Sequence, residues 1–126
     1  QIEGIHMNKI DRDGSHAYIR LQEIFDEVKE GCRDRIDIFG TVKFKIAYKK
    51  IDGKEYRVAK IKGNTITIKH TAVTILPKSA LKYIIAHELA HVLVKDHNER
   101  FWDIVRMIYP KYNMGKRVLE RYRDRI

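Results

Sequence analysis

The chain has 126 residues, a length that suits one domain with a real hydrophobic core. Its 26 Lys and Arg against 17 Asp and Glu give a formal charge of +9, and its 44% hydrophobic content indicates a globular rather than a disordered chain. The single cysteine, Cys32, excludes an intramolecular disulfide framework. No apolar run reaches the roughly 18 residues that a membrane span needs. These figures predict a soluble, cytoplasmic, basic domain with no membrane partner.

The basic excess has two interpretations. It can form a surface for nucleic acid or another acidic partner. It can also reflect the Lys-, Arg- and Glu-rich surface of a thermophile protein. The cations are interpreted as spread along the chain, which favours the thermophile surface over a nucleic-acid partner.

The chain shows no internal repeat and no linker. Residues 1–6 have the character of an expression remnant, with Met7 as the expected natural start. Residues 7–126 are therefore expected to form a single domain.

The first half of the chain predicts one helix and a small antiparallel sheet. Apolar spacing predicts a helix over residues 16–30, with Ser15 as its N-cap. Alternation predicts strands over residues 41–48, 55–61 and 65–69, joined by turns at Asp52-Gly53 and Gly63-Asn64.

The second half predicts mainly helices. After a short extended piece over residues 73–75, a broad apolar surface predicts a central buried helix over residues 77–94. A helix capped by Asn98 and a last helix over residues 115–126 follow. The fold class is therefore α+β, a small antiparallel sheet packed on an active-site helix with flanking helices.

One motif carries the chemistry. Residues 87–91 read His87-Glu88-Leu89-Ala90-His91, and residues four apart on a helix share one face. The two imidazoles can therefore bind one Zn²⁺, while Glu88 projects about 100° away and can take a proton from a water on the ion. Histidine and glutamate are costly inside an apolar helix unless they are paired or bound to metal.

A third metal ligand is expected from His97. Ten residues of continuous helix would place it about 15 Å from His87, so the helix must break after His91. Lys95-Asp96 followed by a capping Asn98 supplies that break. Glu99, Asp103 and His70 remain alternative ligands.

Two other families share the histidine offsets. Metzincin proteases place a glycine where this chain has Val94, which resists positive φ. A bacterial family of zinc-dependent RNA-processing proteins has a glycine in place of Glu88. Both departures argue against these families.

With His97, the Phe101-Trp102 pair and Tyr109-Pro110, the string resembles the minigluzincins. These small metallopeptidases are related to SprT-like, YgjP-like and M48-type peptidase domains, and the resemblance covers roughly residues 64–112. It implies a gluzincin-like minimal fold with a strand lining the cleft for an extended peptide.

The resemblance also implies roles for individual residues. His87, His91 and His97 would hold one zinc ion, and Glu88 would be the general base and acid. Such proteins can be latent zymogens, here with residues 111–126 over the cleft.

Several alternatives stay open beside this assignment. Phe101 and Trp102 are expected to pack in the core, while Tyr109 and Tyr112 are weaker candidates for oxyanion stabilisation. The C-terminal helix can pack on its own domain, cover the cleft or form a homodimer. The alternative function is a basic nucleic-acid-associated zinc domain, or a protease acting on DNA-bound protein.

Overall fold

The computed structural model describes residues 2–126, with side chains from His16 onward. Its helices are α1 (Ile2–Cys32), α2 (His70–Ile75), α3 (Lys78–Ala90), α4 (Glu99–Ile108) and α5 (Tyr112–Tyr122), followed by a 3₁₀ turn at Arg123–Arg125. Its strands are β1 (Lys43–Ala47), β2 (Ala59–Lys62) and β3 (Thr65–Lys69). The predicted α+β class is confirmed.

The first helix is longer than its apolar pattern predicts. It includes Ser15 well inside its span, so the predicted N-cap at that residue is wrong. Gln1 lies outside the described residues, and the interpretation of residues 1–6 as a remnant stays a prediction.

The sheet is mixed, so the prediction that it is entirely antiparallel is wrong. The strand order is β1-β3-β2, with β1 parallel to β3 and β2 antiparallel to it. The turn at Asp52 and Gly53, with φ of 53° and 71°, closes only an isolated bridge between Ile51 and Lys54. The chain then crosses to the opposite edge of the sheet, where it forms β2. A turn at Gly63, whose φ is 62°, leads from β2 into β3, which lies between the two edge strands.

The two faces of the sheet differ in character. Ile66 and Ile68 of the central strand are fully buried, and Phe44, Ile46 and Ile61 of the edge strands pack against the same core. The opposite face carries the lysines of β1 and β2 on either side of Thr65 and Thr67. The inner face thus supports the helices, while the outer face is polar.

The central helix is α3, and most of its residues are buried. It contacts α1, α4, α5 and β2. It ends at Ala90, four residues before the predicted end, because the N–H groups that follow donate to carbonyls three residues back instead of four. Leu93 donates to the carbonyl of Ala90 at 3.1 Å, and Val92 donates to that of Leu89 at 3.0 Å.

The last helix packs closely along α3. Gly115 is buried, and a Cβ there would meet the carbonyl oxygen of Ser79 and would lie 2.8 Å from the Cβ of Tyr83. Leu119 is buried, and Val118 packs against the core beside it. The apolar stripe of α5 therefore docks on its own domain.

Two smaller segments test the remaining predictions. Residues 73–75, expected to be extended, belong to α2, where the carbonyl of Val73 accepts a bond from Arg20. The helix predicted after Asn98 is confirmed as α4. Within residues 2–126, no helix is both long and apolar enough to cross a membrane.

Candidate metal centre and active-site cleft

The metal-ligand candidates lie where α3 ends. Glu88 is in its last turn, and His91 is its C-cap with helical φ and ψ of −68° and −13°. The tightened turn after His91 redirects the chain, and α4 begins after Asn98, whose side chain accepts a bond from the N–H of Phe101 at 3.0 Å. The break predicted between His91 and His97 is therefore present, and it returns His97 toward α3.

Three imidazole nitrogens converge at this point. The Nε2 atom of His97 lies 3.1 Å from that of His91 and 3.2 Å from that of His87. One ligand atom from each ring lies within 4.8 Å of the other two. Nitrogens bound tetrahedrally at about 2.0–2.1 Å from one ion lie about 3.3–3.4 Å apart, so the spacing fits a single metal ion.

The hydrogen bonds of the rings indicate which nitrogens carry protons. Nδ1 of His91 lies 3.1 Å from the carbonyl oxygen of Val94, which can only accept, so this nitrogen donates. Nδ1 of His87 lies 3.1 Å from Oε2 of Glu88, and donation to that carboxylate places its proton there as well. With Nδ1 as the donor, the Nε2 atom of each of these two rings is left to offer a lone pair. Each of these two atoms lies within 3.2 Å of Nε2 of His97, so a cation placed among the three nitrogens can bind a lone pair from each ring.

Aromatic packing fixes the orientation of the three rings. Phe101 is fully buried, and its ring centroid lies 5.1 Å from His87, 4.5 Å from His91 and 4.9 Å from His97. Trp102 lies at the edge of this aromatic cluster and stacks on Tyr112, with ring centroids 5.7 Å apart. The core role expected for Phe101 thus also supports the metal centre.

The electrostatics of His97 favour its neutral form. Desolvation of the ring lowers its pKa, and charges on His87 and His91 lower it further. A neutral imidazole is the form that binds metal.

The alternative ligands lie elsewhere. Glu99 and Asp103 are not part of the convergent group, and Asp103 instead pairs with Arg106 at 2.8 Å. His70 stacks on Tyr48 with centroids 4.7 Å apart. The structure therefore brings together the three histidines and none of their predicted substitutes.

Glu88 lies beside this group in a largely enclosed position. Its exposed fraction is 8%, and its carboxylate contacts His87 as described above. Both residues line a cleft of about 810 Å³. A carboxylate in this position can exchange a proton with a molecule bound in the cleft.

The cleft lies between α3 and the edge strand β2. Residues 56–61 form one wall, and the face of α3 that carries Glu88 forms another. Among residues 2–126, β2 pairs with β3 alone, so its other edge has free backbone groups. An extended peptide can pair with such an edge.

Several cleft residues were missed by the sequence analysis. Tyr83 lies one helical turn before His87, a spacing that could have identified it, and burial raises its pKa to about 12. Lys95 and Arg123 also line the cleft, but no local pattern marks them. Tyr109 and Tyr112, proposed for oxyanion stabilisation, are not among the lining residues.

The C-terminal segment forms part of the cleft wall. Leu119 and Arg123 line it, and Nη1 of Arg123 donates to the carbonyl oxygen of Tyr56 at 3.4 Å. This contact joins the C-terminal segment to the loop that leads into β2. The segment therefore borders the cleft, which keeps a volume of about 810 Å³.

Comparisons with known proteins agree with this geometry. Residues 59–122 match a family model described as YgjP-like, metallopeptidase domain. A search of curated proteins gave no match. Among solved structures, the metallopeptidase zymogen of Methanocaldococcus jannaschii jannalysin superposes with a TM-score of 0.58 at 19% sequence identity. The match covers 84% of this chain and 97% of that chain, and it shows a shared fold.

Proposed function

The chain belongs to the family of YgjP-like metallopeptidase domains, and on that premise we propose that it is a zinc-dependent endopeptidase. The observation that carries the proposal is the convergence of three Nε2 atoms, 3.1 and 3.2 Å from neighbour to neighbour, in a cleft that also contains Glu88. His87, His91 and His97 would hold the ion.

The donor set favours zinc as that metal. Three neutral imidazoles with one position left open are typical of catalytic zinc sites, whereas calcium and magnesium prefer oxygen ligands. When bound, zinc would supply a Lewis acid that lowers the pKa of a water molecule and polarises a peptide carbonyl. One ion per chain is expected because the described residues contain one such group of side chains.

Glu88 would move the protons. Its carboxylate accepts a proton from the attacking water at an Oε atom and then delivers it to the nitrogen of the leaving amine. The contact between Oε2 and Nδ1 of His87 holds the carboxylate at the cleft side of α3. Glu88 would thus act twice without binding the metal itself.

The substrate would be a peptide or protein segment in an extended conformation. The free edge of β2 offers backbone N–H and C=O groups along the cleft wall, and a peptide that pairs there lies across the metal centre. Backbone pairing orients the scissile bond with little dependence on sequence.

The chain is further proposed to be partly latent. The solved relative is described as a zymogen. In this chain Arg123 links the C-terminal segment to Tyr56 at the cleft wall, where it would restrict entry of a peptide. A chain ending at Tyr122 should therefore cleave unfolded casein faster than the full chain. Equal rates from two folded proteins would overturn latency.

The experiment for the peptidase proposal uses Glu88→Gln in both the full chain and the chain ending at Tyr122. Cleavage of labelled casein should fall by at least about 100-fold, the contribution of a general base, while zinc content is unchanged. Glu30→Gln on exposed α1 is the matched control and should cleave like the parent. Cleavage by the Glu88→Gln variant at the parental rate would contradict the assigned role.

A homodimer through α5 stays a prediction. The stripe that would form it already packs on the chain's own core through Leu119. Light scattering over a range of concentrations would detect a dimer of about twice the 15.0 kDa chain mass.

A further inference from the structure

The positive charge is concentrated in the part of the chain that forms the sheet. Residues 41–69 contain nine Lys and Arg and two Asp and Glu, a net charge of +7. The other 97 residues contain 17 Lys and Arg and 15 Asp and Glu, a net charge of +2. The interpretation of the cations as spread along the chain is therefore wrong, and the rest of the chain is nearly neutral.

The strand register collects these charges on one face. Lys43 and Lys62 lie opposite each other across Thr65, because both are paired with it. Lys45 and Lys60 lie in the same way across Thr67. Neighbouring strands are about 4.8 Å apart and alternate residues along a strand about 6.6 Å apart, so four ammonium groups share a small area. We call this surface the lysine face.

Acidic side chains neutralise little of the lysine face. Lys60 pairs with Asp52 at 2.7 Å. Within residues 16–126, for which side chains are described, Lys43, Lys45 and Lys62 form no ion pair. Like charges this close repel one another, so an added anion would relieve an existing repulsion.

The composition of the face indicates the kind of anion. None of its positions holds an aromatic residue, since Phe44 points into the core and Tyr48 follows the end of β1. Stacking of unpaired bases is therefore not available. A regular array of phosphates on the outside of a duplex needs only cations and hydroxyl donors, which the lysines and the half-buried Thr65 supply, whereas Thr67 is buried beneath them.

We propose that the lysine face binds the phosphate backbone of double-stranded nucleic acid without sequence preference. This goes beyond the peptidase proposal and does not depend on it. The face is turned away from the core that α3 helps to form, and of its four lysines only Lys60 is among the residues that line the cleft. Double-stranded nucleic acid would be a partner of the domain rather than a substrate.

The experiment measures fluorescence anisotropy of a labelled DNA duplex of about 24 base pairs at salt concentrations from about 50 to 200 mM. The test variant combines Lys43→Gln, Lys45→Gln and Lys62→Gln. The matched control combines Lys29→Gln, Lys111→Gln and Arg117→Gln, which removes the same charge from exposed positions on helices and the turn before α5. Circular dichroism of all proteins verifies that they are folded.

The parent should bind with a steep salt dependence. The test variant should bind at least about 10-fold more weakly, and its slope of log K against log salt should be smaller by about 0.9 for each lysine removed. The control should lose less than about 3-fold. Equal losses of duplex affinity in both variants would show that binding depends on net charge and not on the lysine face, which would overturn the proposal. The absence of binding by the parent at low salt would overturn it as well.

Two competitors test the identity of the partner. Polyglutamate and vesicles of anionic phospholipid are added to the duplex complex at equal charge concentration. The proposal expects unlabelled duplex to displace the labelled duplex better than either competitor. Equal or stronger displacement by polyglutamate or vesicles would overturn it in favour of an acidic protein or a membrane surface.

Discussion

The Nε2 atoms of His91 and His97 lie 3.1 Å apart, although the two residues are six positions apart in the chain and the end of a helix lies between them. The cap of α4 makes this possible. Asn98 accepts the N–H of Phe101 and so starts a new helix directly after His97. The third ring is thus positioned by a helix boundary.

Replacing Asn98 with alanine should destabilise both the fold and the metal centre. Loss of the cap costs about 1 kcal/mol of unfolding free energy, which denaturant titration measures. Zinc affinity should also fall, because His97 loses its fixed position, and competition with a chromogenic chelator measures it. Asn98→Asp keeps a capping oxygen and serves as control. An alanine variant with parental stability would show that the cap contributes nothing.

Gly115→Ala should destabilise the chain even though alanine is the better helix former. The added methyl would meet the carbonyl oxygen of Ser79 and the Cβ of Tyr83, so α5 must move away from α3. Overpacking costs about 1–3 kcal/mol, which exceeds the roughly 1 kcal/mol gained in helix propensity. Thermal unfolding should therefore show a lower midpoint.

Gly31→Ala is the matched comparison for that substitution. Gly31 also lies in a helix, but in the described part of the chain no atom beyond its own neighbours and helix backbone lies within 4 Å of an added Cβ. Here the helix propensity should dominate and raise the stability by about 0.5–1 kcal/mol. If both alanine substitutions change the stability in the same direction, the close approach of α5 to α3 does not restrict position 115 to glycine.

A pH-dependent contribution to stability is expected where α1 meets α3. The Glu27 carboxylate lies 3.0 Å from Nζ of Lys78 and 3.2 Å from Nζ of Lys82, and hydrogen bonds from these lysines lower its pKa below 4.5. A lowered pKa in the folded state means that the stabilisation is complete above the unfolded value. It is lost as the pH falls through the folded value.

Glu27→Gln tests this contribution. The side chain is 44% exposed, so solvent and salt screen the pairs and the loss at neutral pH should be only about 0.2–1 kcal/mol. The difference from the parent should shrink as the pH drops below about 4.5. A difference in unfolding free energy that stays constant from neutral to acid pH would contradict the assignment.

The sheet shows where local sequence patterns stop being informative. Alternation in β1 and β3 was visible because one face of each strand is apolar. The pairing was not, because a turn at Asp52-Gly53 between two strands favours a hairpin, whereas β1 pairs with β3, which follows β2 in the chain. Parallel pairing over such a distance depends on how the sheet packs on the helices.

The candidate site was more predictable than the sheet. His87, Glu88 and His91 follow from helix periodicity alone, and the break before His97 follows from Asn98 as a cap. The cleft wall was not predictable, because Arg123 reaches it only through the packing of α5. Helix geometry is local, whereas the surroundings of the site depend on contacts between distant segments.

The most direct test of the central claim is the zinc content per chain, measured by elemental analysis after dialysis against trace zinc. The parent should hold one ion per chain, and His97→Ala should lose most of the bound zinc. Loss of a residue that only hydrogen-bonds to a ligand lowers metal affinity about 10- to 100-fold, and loss of a ligand itself should lower it more. His70→Ala removes a histidine outside the convergent group and should retain the ion. A metal-free parent, or a His97→Ala variant that binds zinc as tightly, would contradict the claim.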